Sequence, residues 1–144
     1  MRESDSARPA ERVRFASRLS CPIEANLTTI LTALTGALAH EPGKARIAVL
    51  AYFNPFSGIP NPLADPTNVA LLGTDGTIDC SASGPAIGLN DIIACTGRLF
   101  GASLADAYPL FQGHALQLVL PGDVHPNNAG YGVLARLFIH ALSR

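Results

Sequence analysis

An acid and an imidazole stand two residues apart in the stretch Gly122-Asp123-Val124-His125-Pro126-Asn127-Asn128-Ala129-Gly130-Tyr131. Histidine has the side-chain pKa nearest neutrality, and a carboxylate beside it fixes its tautomer and stabilises the imidazolium. Asp123 and His125 are thus the candidate orienting acid and general base of a nucleophile-activating triad. The third member, an activated serine, is missing from view. Ser81 and Ser83, in the Cys80-Ser81-Ala82-Ser83-Gly84-Pro85 loop, are the serines to test as nucleophiles, but they lack a Gly-x-Ser-x-Gly elbow. A plainer reading makes Asp123 the cap of an ordinary turn. A metal-dependent hydrolase built on Asp123 and His125 would need more ligands than this spacing supplies, so no metal and no cofactor is expected.

The elements that must position this pair alternate between helix and strand. Leu27, Ile30, Leu31, Leu34 and Leu38 recur at three- and four-residue spacings and predict a helix from about 23 to 39, stopped by Glu41-Pro42-Gly43. Residues 46–52 form a near-continuous apolar run that suits a strand covered on both faces. A Pro/Gly/Asn-rich stretch follows from Asn54 to about Pro85, the kind of long connection that is functional or mobile. Leu89, Ile92, Ile93, Thr96, Leu99 and Phe100 predict a second helix closed by Gly101, and 102–108 a short strand. Residues 116–120 read as another short strand or an apolar loop. The last helix is expected over 128–142, with Tyr131, Leu134, Ala135, Phe138 and Leu142 facing inward. This alternation is the grammar of an α/β fold with a parallel sheet. With only two or three strands in sight, the sheet would be partial and its edges open. Ligands gather at the carboxyl ends of parallel strands, which puts Asn54 and Phe56 on the candidate binding cleft, and Asp106 at a strand end as either a pocket or a turn residue.

Composition narrows the classes. With 144 residues, 48% hydrophobic and 15% charged, the chain can bury a core without staples. One domain is expected over 23–144, preceded by a charged, Ser-rich and poorly ordered segment, 1–22. A net charge of -1 and no aromatic-interleaved basic patch argue against nucleic acid. No stretch reads as a signal peptide or a membrane span, so the chain as written is expected in the cytoplasm. Cys21, Cys80 and Cys95 have no metal-site spacing. Cys80 and Cys95 could pair in an oxidising compartment, and three free thiols in a reducing one fit equally well.

The tail GDVHPNNAGYGVLARLF resembles the final conserved block of the SGNH, or GDSL-type, hydrolase superfamily. Upstream, IAVLAYFNPF is similar to that family's strand ending in Tyr-Asn-Pro-Phe, LNDIIACTGRLFGASLADAYPLF to its penultimate helix and following strand, and EANLTTILTALTGAL to the helix before them. The likeness spans about 24 to 142, and only its DVHPNNAGY block is specific. It implies a serine esterase or lipase acting on carboxylic esters, with a three-layer α/β/α, flavodoxin-like fold that is incomplete here. It also implies His125 as general base, Asp123 as its orienting acid, Pro126 and Gly130 shaping the loop and the helix start, and Tyr131 packed beneath. Phe53 and Phe56 would offer an apolar wall to an acyl group, though core packing explains them nearly as well.

Two departures qualify the likeness. The commoner pattern is Asp-x-x-His, and here it is Asp-x-His. No Gly-Asp-Ser block is present. Gly88-Leu89-Asn90-Asp91 matches the family's Gly-x-Asn-Asp oxyanion motif by letter, but follows the Tyr-Asn-Pro-Phe strand instead of preceding the first helix. Asn90 and Asp91 also sit where an N-cap and a first-turn acid are wanted. The chain is therefore expected to correspond to the C-terminal half of such a hydrolase. It would meet a small-molecule ester only when completed by a Ser-bearing half, and turn over little or nothing alone. The alternative is a non-catalytic remnant or interaction module that pairs with a partner, or with itself, through its exposed sheet edge.

Overall fold

The computed structural model describes residues 9–40, 43 and 45–143, and only the backbone over 9–21. Of the segment 1–22 expected to be poorly ordered, residues 1–8 lie outside the described residues, as does the side chain of Cys21, while the backbone of 9–22 belongs to the helix that begins at Pro9. The described elements are α1 (Pro9–Leu38), β1 (Ala48–Ala51), α2 (Ala64–Leu72), α3 (Leu89–Leu99), β2 (Ser103–Asp106), the short turns α4 (Tyr108–Phe111) and α5 (Ala115–Leu118), and α6 (Asn128–Leu142). The fold is mixed α/β. Its sheet pairs β1 and β2 in parallel, from Ala48 opposite Ser103 to Ala51 opposite Asp106.

Alternation along β1 sends successive side chains to opposite faces. Val49 meets α3, which comes so close that a Cβ on Gly97 would lie 2.7 Å from the Val49 Cγ2. Leu50 faces the other way, onto a core of Ala107, Phe111, Ala115 and Val119 shared with Val133, Leu134 and Leu137 of α6. Helices α3 and α6 thus cover the two faces of the sheet, which is why β1 is a short apolar run rather than an alternating one. Phe53 belongs to this core, its ring stacked on Phe111 with centroids 4.0 Å apart.

The outer edge of β1 has no partner strand among the described residues. Ser103 N–H donates to the Ile47 carbonyl and Ala107 N–H to the Ala51 carbonyl, so the odd-numbered residues face β2. The peptide groups of Ala48 and Leu50 then face outward. Two residues further on, the Asn90 side chain closes this edge: its Oδ1 accepts from Tyr52 N–H at 2.7 Å and its Nδ2 donates to Tyr52 C=O at 2.9 Å.

Several expectations need correction. The connection after Asn54 contains α2, whose apolar residues follow no helical period and which buries only Leu71 and Leu72. Residues 116–120 form no strand: α5 occupies the first part, and Val119 then makes one antiparallel bridge to Pro126. The inward face of α6 is also turned from the expected one. Val133, Leu134 and Leu137 pack on the core, whereas Tyr131 is 54% exposed and Leu142 38%. On α1, Leu31 is buried but Ile30 and Leu34 are exposed, because this helix packs mainly beside α3. Cys80 and Cys95 are joined as a disulfide, with Cα atoms 5.5 Å apart.

Candidate active site

The Asp123–His125 pair is built by a turn and a short antiparallel pairing. Pro121 and Gly122 occupy the central positions of a tight turn closed by Asp123 N–H on the Leu120 carbonyl, and Gly122 has φ +73°, the left-handed conformation that the third position of a type II turn requires. Leu120 N–H donates to the His125 carbonyl at 2.9 Å, and Asn127 N–H to the Leu118 carbonyl at 2.9 Å. His125 is therefore fixed by its own backbone on the strand-like return that leads into α6.

Helix α6 is anchored at its start. The Asn127 Oδ1 accepts from Gly130 N–H at 3.0 Å, as an N-cap should, while its Nδ2 donates to the Gln117 carbonyl at 2.8 Å. Gly130 has a packing reason to be glycine: a Cβ there would lie 2.1 Å from the Leu118 carbonyl oxygen and 2.8 Å from the Pro126 Cβ. Pro126 is buried beneath the loop. Tyr131, in contrast, does not pack beneath it; its exposure turns it to solvent.

Within this frame the His125 Nδ1 lies 2.7 Å from the Asp123 Oδ1. A carboxylate only accepts, so Nδ1 carries the proton in the neutral imidazole and Nε2 is left with a lone pair. That is the tautomer a general base needs. The hydrogen bond from His125, followed by one from Val124 N–H at 2.6 Å, holds the Asp123 carboxyl below the usual carboxylate range. Asp-x-His thus closes the contact with Val124 alone between the two residues, in the loop that the Pro-Gly turn opens. Both side chains are open to solvent, 67% for His125 and 45% for Asp123.

No serine hydroxyl among the described residues is hydrogen-bonded to His125, whose side chain bonds to Asp123 alone. The Ser81 hydroxyl donates instead to both oxygens of Asp79 at 2.8 Å; the bond from Ser81 N–H, followed by those from the hydroxyl, lowers the Asp79 pKa and makes it a poor base. No group of three or more His, Cys, Asp or Glu residues among the described residues could hold a metal ion.

Asn54 lies at the end of β1 but is buried, with its side chain fully engaged. Its Nδ2 donates to the Ala64 carbonyl at 2.8 Å and to the Asn68 Oδ1 at 2.6 Å, and its Oδ1 accepts from Phe56 N–H at 2.9 Å. It braces the start of the connection and has no free polar group for a ligand. Phe56 is half-buried beside it. Of the other members of this network, sequence reasoning had singled out Asp106 and missed Asn68 and Tyr108. Asn68 also accepts from the Tyr108 hydroxyl at 2.8 Å, and Tyr108 N–H donates to Asp106 at the end of β2. Burial raises the pKa of both Asp106 and Tyr108. A Tyr two residues after a strand-end Asp was the available signal for this row; Asn68 gave none.

Asn90 is not placed to stabilise an oxyanion. It is completely buried, and both halves of its amide are spent on Tyr52. Nor is it the N-cap: Gly88 is, and Asp91 accepts from Gly88 N–H in the first turn of α3. No family model, curated protein or solved structure matches this chain, so the reading of the site rests on its own geometry.

Proposed function

We propose that this chain carries the base and orienting acid of an SGNH-type serine esterase or lipase that hydrolyses carboxylic esters. The observation that carries the proposal is the 2.7 Å Asp123–His125 contact, on a rigid turn just before α6, with Nε2 free to take a proton. His125 would accept the proton of an attacking serine and return it to the leaving alkoxide, while Asp123 holds the ring and stabilises its charged form. The serine and the oxyanion donors have to come from outside the described residues, and triad members act as a unit. The flavodoxin-like fold of that family follows from the same proposal: the open edge of β1 is where further parallel strands would add.

The test is hydrolysis of short-chain p-nitrophenyl esters by this chain, alone and with a separately supplied polypeptide bearing a Gly-Asp-Ser block and its strands. Activity of the pair that His125→Ala abolishes supports the proposal. A complex that forms and binds ester yet hydrolyses none sinks it. Robust turnover by the chain alone, with covalent labelling of Ser81 or Ser83, would overturn the assignment of the nucleophile to another segment.

The outward-facing peptide groups of Ala48 and Leu50, together with exposed Ile30 and Leu34, favour a second reading, an interaction module that pairs through its sheet edge. Sedimentation distinguishes the two: a monomer at all concentrations with no partner strand bound argues against the module.

A further inference from the structure

The segment 74–87 between α2 and α3 is held in an unusual way. At its root the two chain passes are nearly in contact: a Cβ on Gly73 would lie 1.8 Å from the Ala86 carbonyl oxygen, and one on Gly88 would lie 2.4 Å from the Gly73 nitrogen. Thr74 N–H donates to the Pro85 carbonyl at 3.0 Å just above this root. The segment is thus a compact loop with its ends together. Its body contributes little to the core, because residues 74–87 are exposed or at most half-buried. Among the described residues two bonds tie its far side down, both to α3, and the 84–86 turn near the root also lies beside α1. Asp91 accepts from Asp79 N–H at 2.6 Å, and Cys95 is bonded to Cys80. Asp91 and Cys95 are four residues apart, so they share one helix face.

The two fasteners differ in kind. Asp91 is buried, and its desolvation, with Asp75 and Asp79 nearby, works against the charge that makes the bond. Cys80 is exposed, within reach of a soluble thiol. We propose that Cys80–Cys95 is a redox latch: oxidised, it pins the 74–87 loop on α3, and reduced, it releases that loop while the sheet, α6 and the Asp123–His125 pair stay folded. The chemistry is ordinary thiol–disulfide exchange with a dithiol. One thiolate attacks a sulfur of the disulfide, giving a mixed disulfide and a cysteine thiolate. The second thiol of the reductant then displaces the other cysteine and closes a cyclic disulfide. Two electrons and two protons pass to the protein. The root glycines and Asn90, which clamps β1 independently of the loop, confine the release.

Hydrogen exchange of the full chain, followed by mass spectrometry with and without dithiothreitol, tests this. The bridge spans 15 residues, so releasing it should speed loop exchange by up to about 100-fold. Amides of 103–106 and 128–142 should keep their protection. The Cys80→Ser/Cys95→Ser double variant should show the reduced pattern without reductant. Three outcomes overturn the latch: unchanged loop exchange on reduction, loss of protection throughout the chain, or mass analysis showing Cys80 and Cys95 unpaired after folding in air.

Discussion

Asn90 offers the sharpest test, because two roles for it make opposite demands. In the structure its amide replaces a neighbouring strand, pairing with both peptide groups of Tyr52 at 2.7 and 2.9 Å while completely buried. Asn90→Ala removes both bonds and leaves two Tyr52 groups to find water at a part-buried edge. At about 0.5–1.5 kcal/mol per bond, and about 1–3 where a group stays dry, the loss should be about 2–4 kcal/mol. Unfolding entropy of about 2.1 cal/mol/K per residue converts this, for 144 residues, to a fall in Tm of about 7–13 °C. Asn90→Asp keeps the acceptor for Tyr52 N–H but faces a carboxylate towards Tyr52 C=O. At neutral pH it should cost at least as much, and it should recover in acid once the carboxyl can donate. Far-UV circular dichroism melts, checked for two-state behaviour, give the readout. An Asn90→Ala protein that melts within about 2 °C of wild type would refute the clamp, well below the shift expected of two lost buried bonds. If that protein also lost ester hydrolysis in the reconstituted pair, the oxyanion role set aside for Asn90 would have to be taken up.

Gly130→Ala must push a Cβ against the Leu118 carbonyl oxygen at 2.1 Å, so it should destabilise by about 1–3 kcal/mol despite the better helix propensity of alanine; a higher urea midpoint would contradict this. Asp106→Asn should raise Tm at pH 7. Burial raises the folded-state pKa of Asp106, so the stability tied to its protonated form is fully present below the unfolded pKa, about 3.9, and is lost as pH rises through the folded pKa. Asparagine removes the charge and still accepts from Tyr108 N–H, so its advantage should vanish below about pH 4, and a lower Tm at pH 7 would refute the sign. Asp123→Ala should abolish the low-field ring N–H proton signal of His125 while leaving the melting temperature at the level of a surface substitution; a retained signal would show that Asp123 does not hold the ring.

The main elements were legible because they are written in local pattern. The apolar runs at 46–52 and 102–108 contain β1 and β2, and the periodic stripes at 89–100 and 128–142 contain α3 and α6. Helix α2 was not legible, since Val69, Leu71 and Leu72 trace no stripe and tertiary contact with α3 supplies what periodicity does not. The face of α6 was misread because a 15-residue helix with apolar residues on several sides does not say which side the sheet will take. Asn54, Asn68 and Tyr108 could not be joined from sequence, as their hydrogen bonds span 14 and 40 residues.

The sequence by itself determined the chemical pair. Asp123 and His125 are two residues apart and directly follow a Pro-Gly turn, so their meeting needs only local backbone geometry, and that geometry is encoded by the residues that make it. Which asparagine is structural, which helix face is buried and which edge of β1 is open were decided by the tertiary structure alone. Those features depend on partners that chain connectivity leaves distant, and a buried polar group takes its role from whichever partner packing brings within hydrogen-bond reach. Asn90 shows this most plainly: at a position the sequence offers as a helix N-cap, it is a strand clamp because Tyr52, 38 residues earlier, arrives beside it.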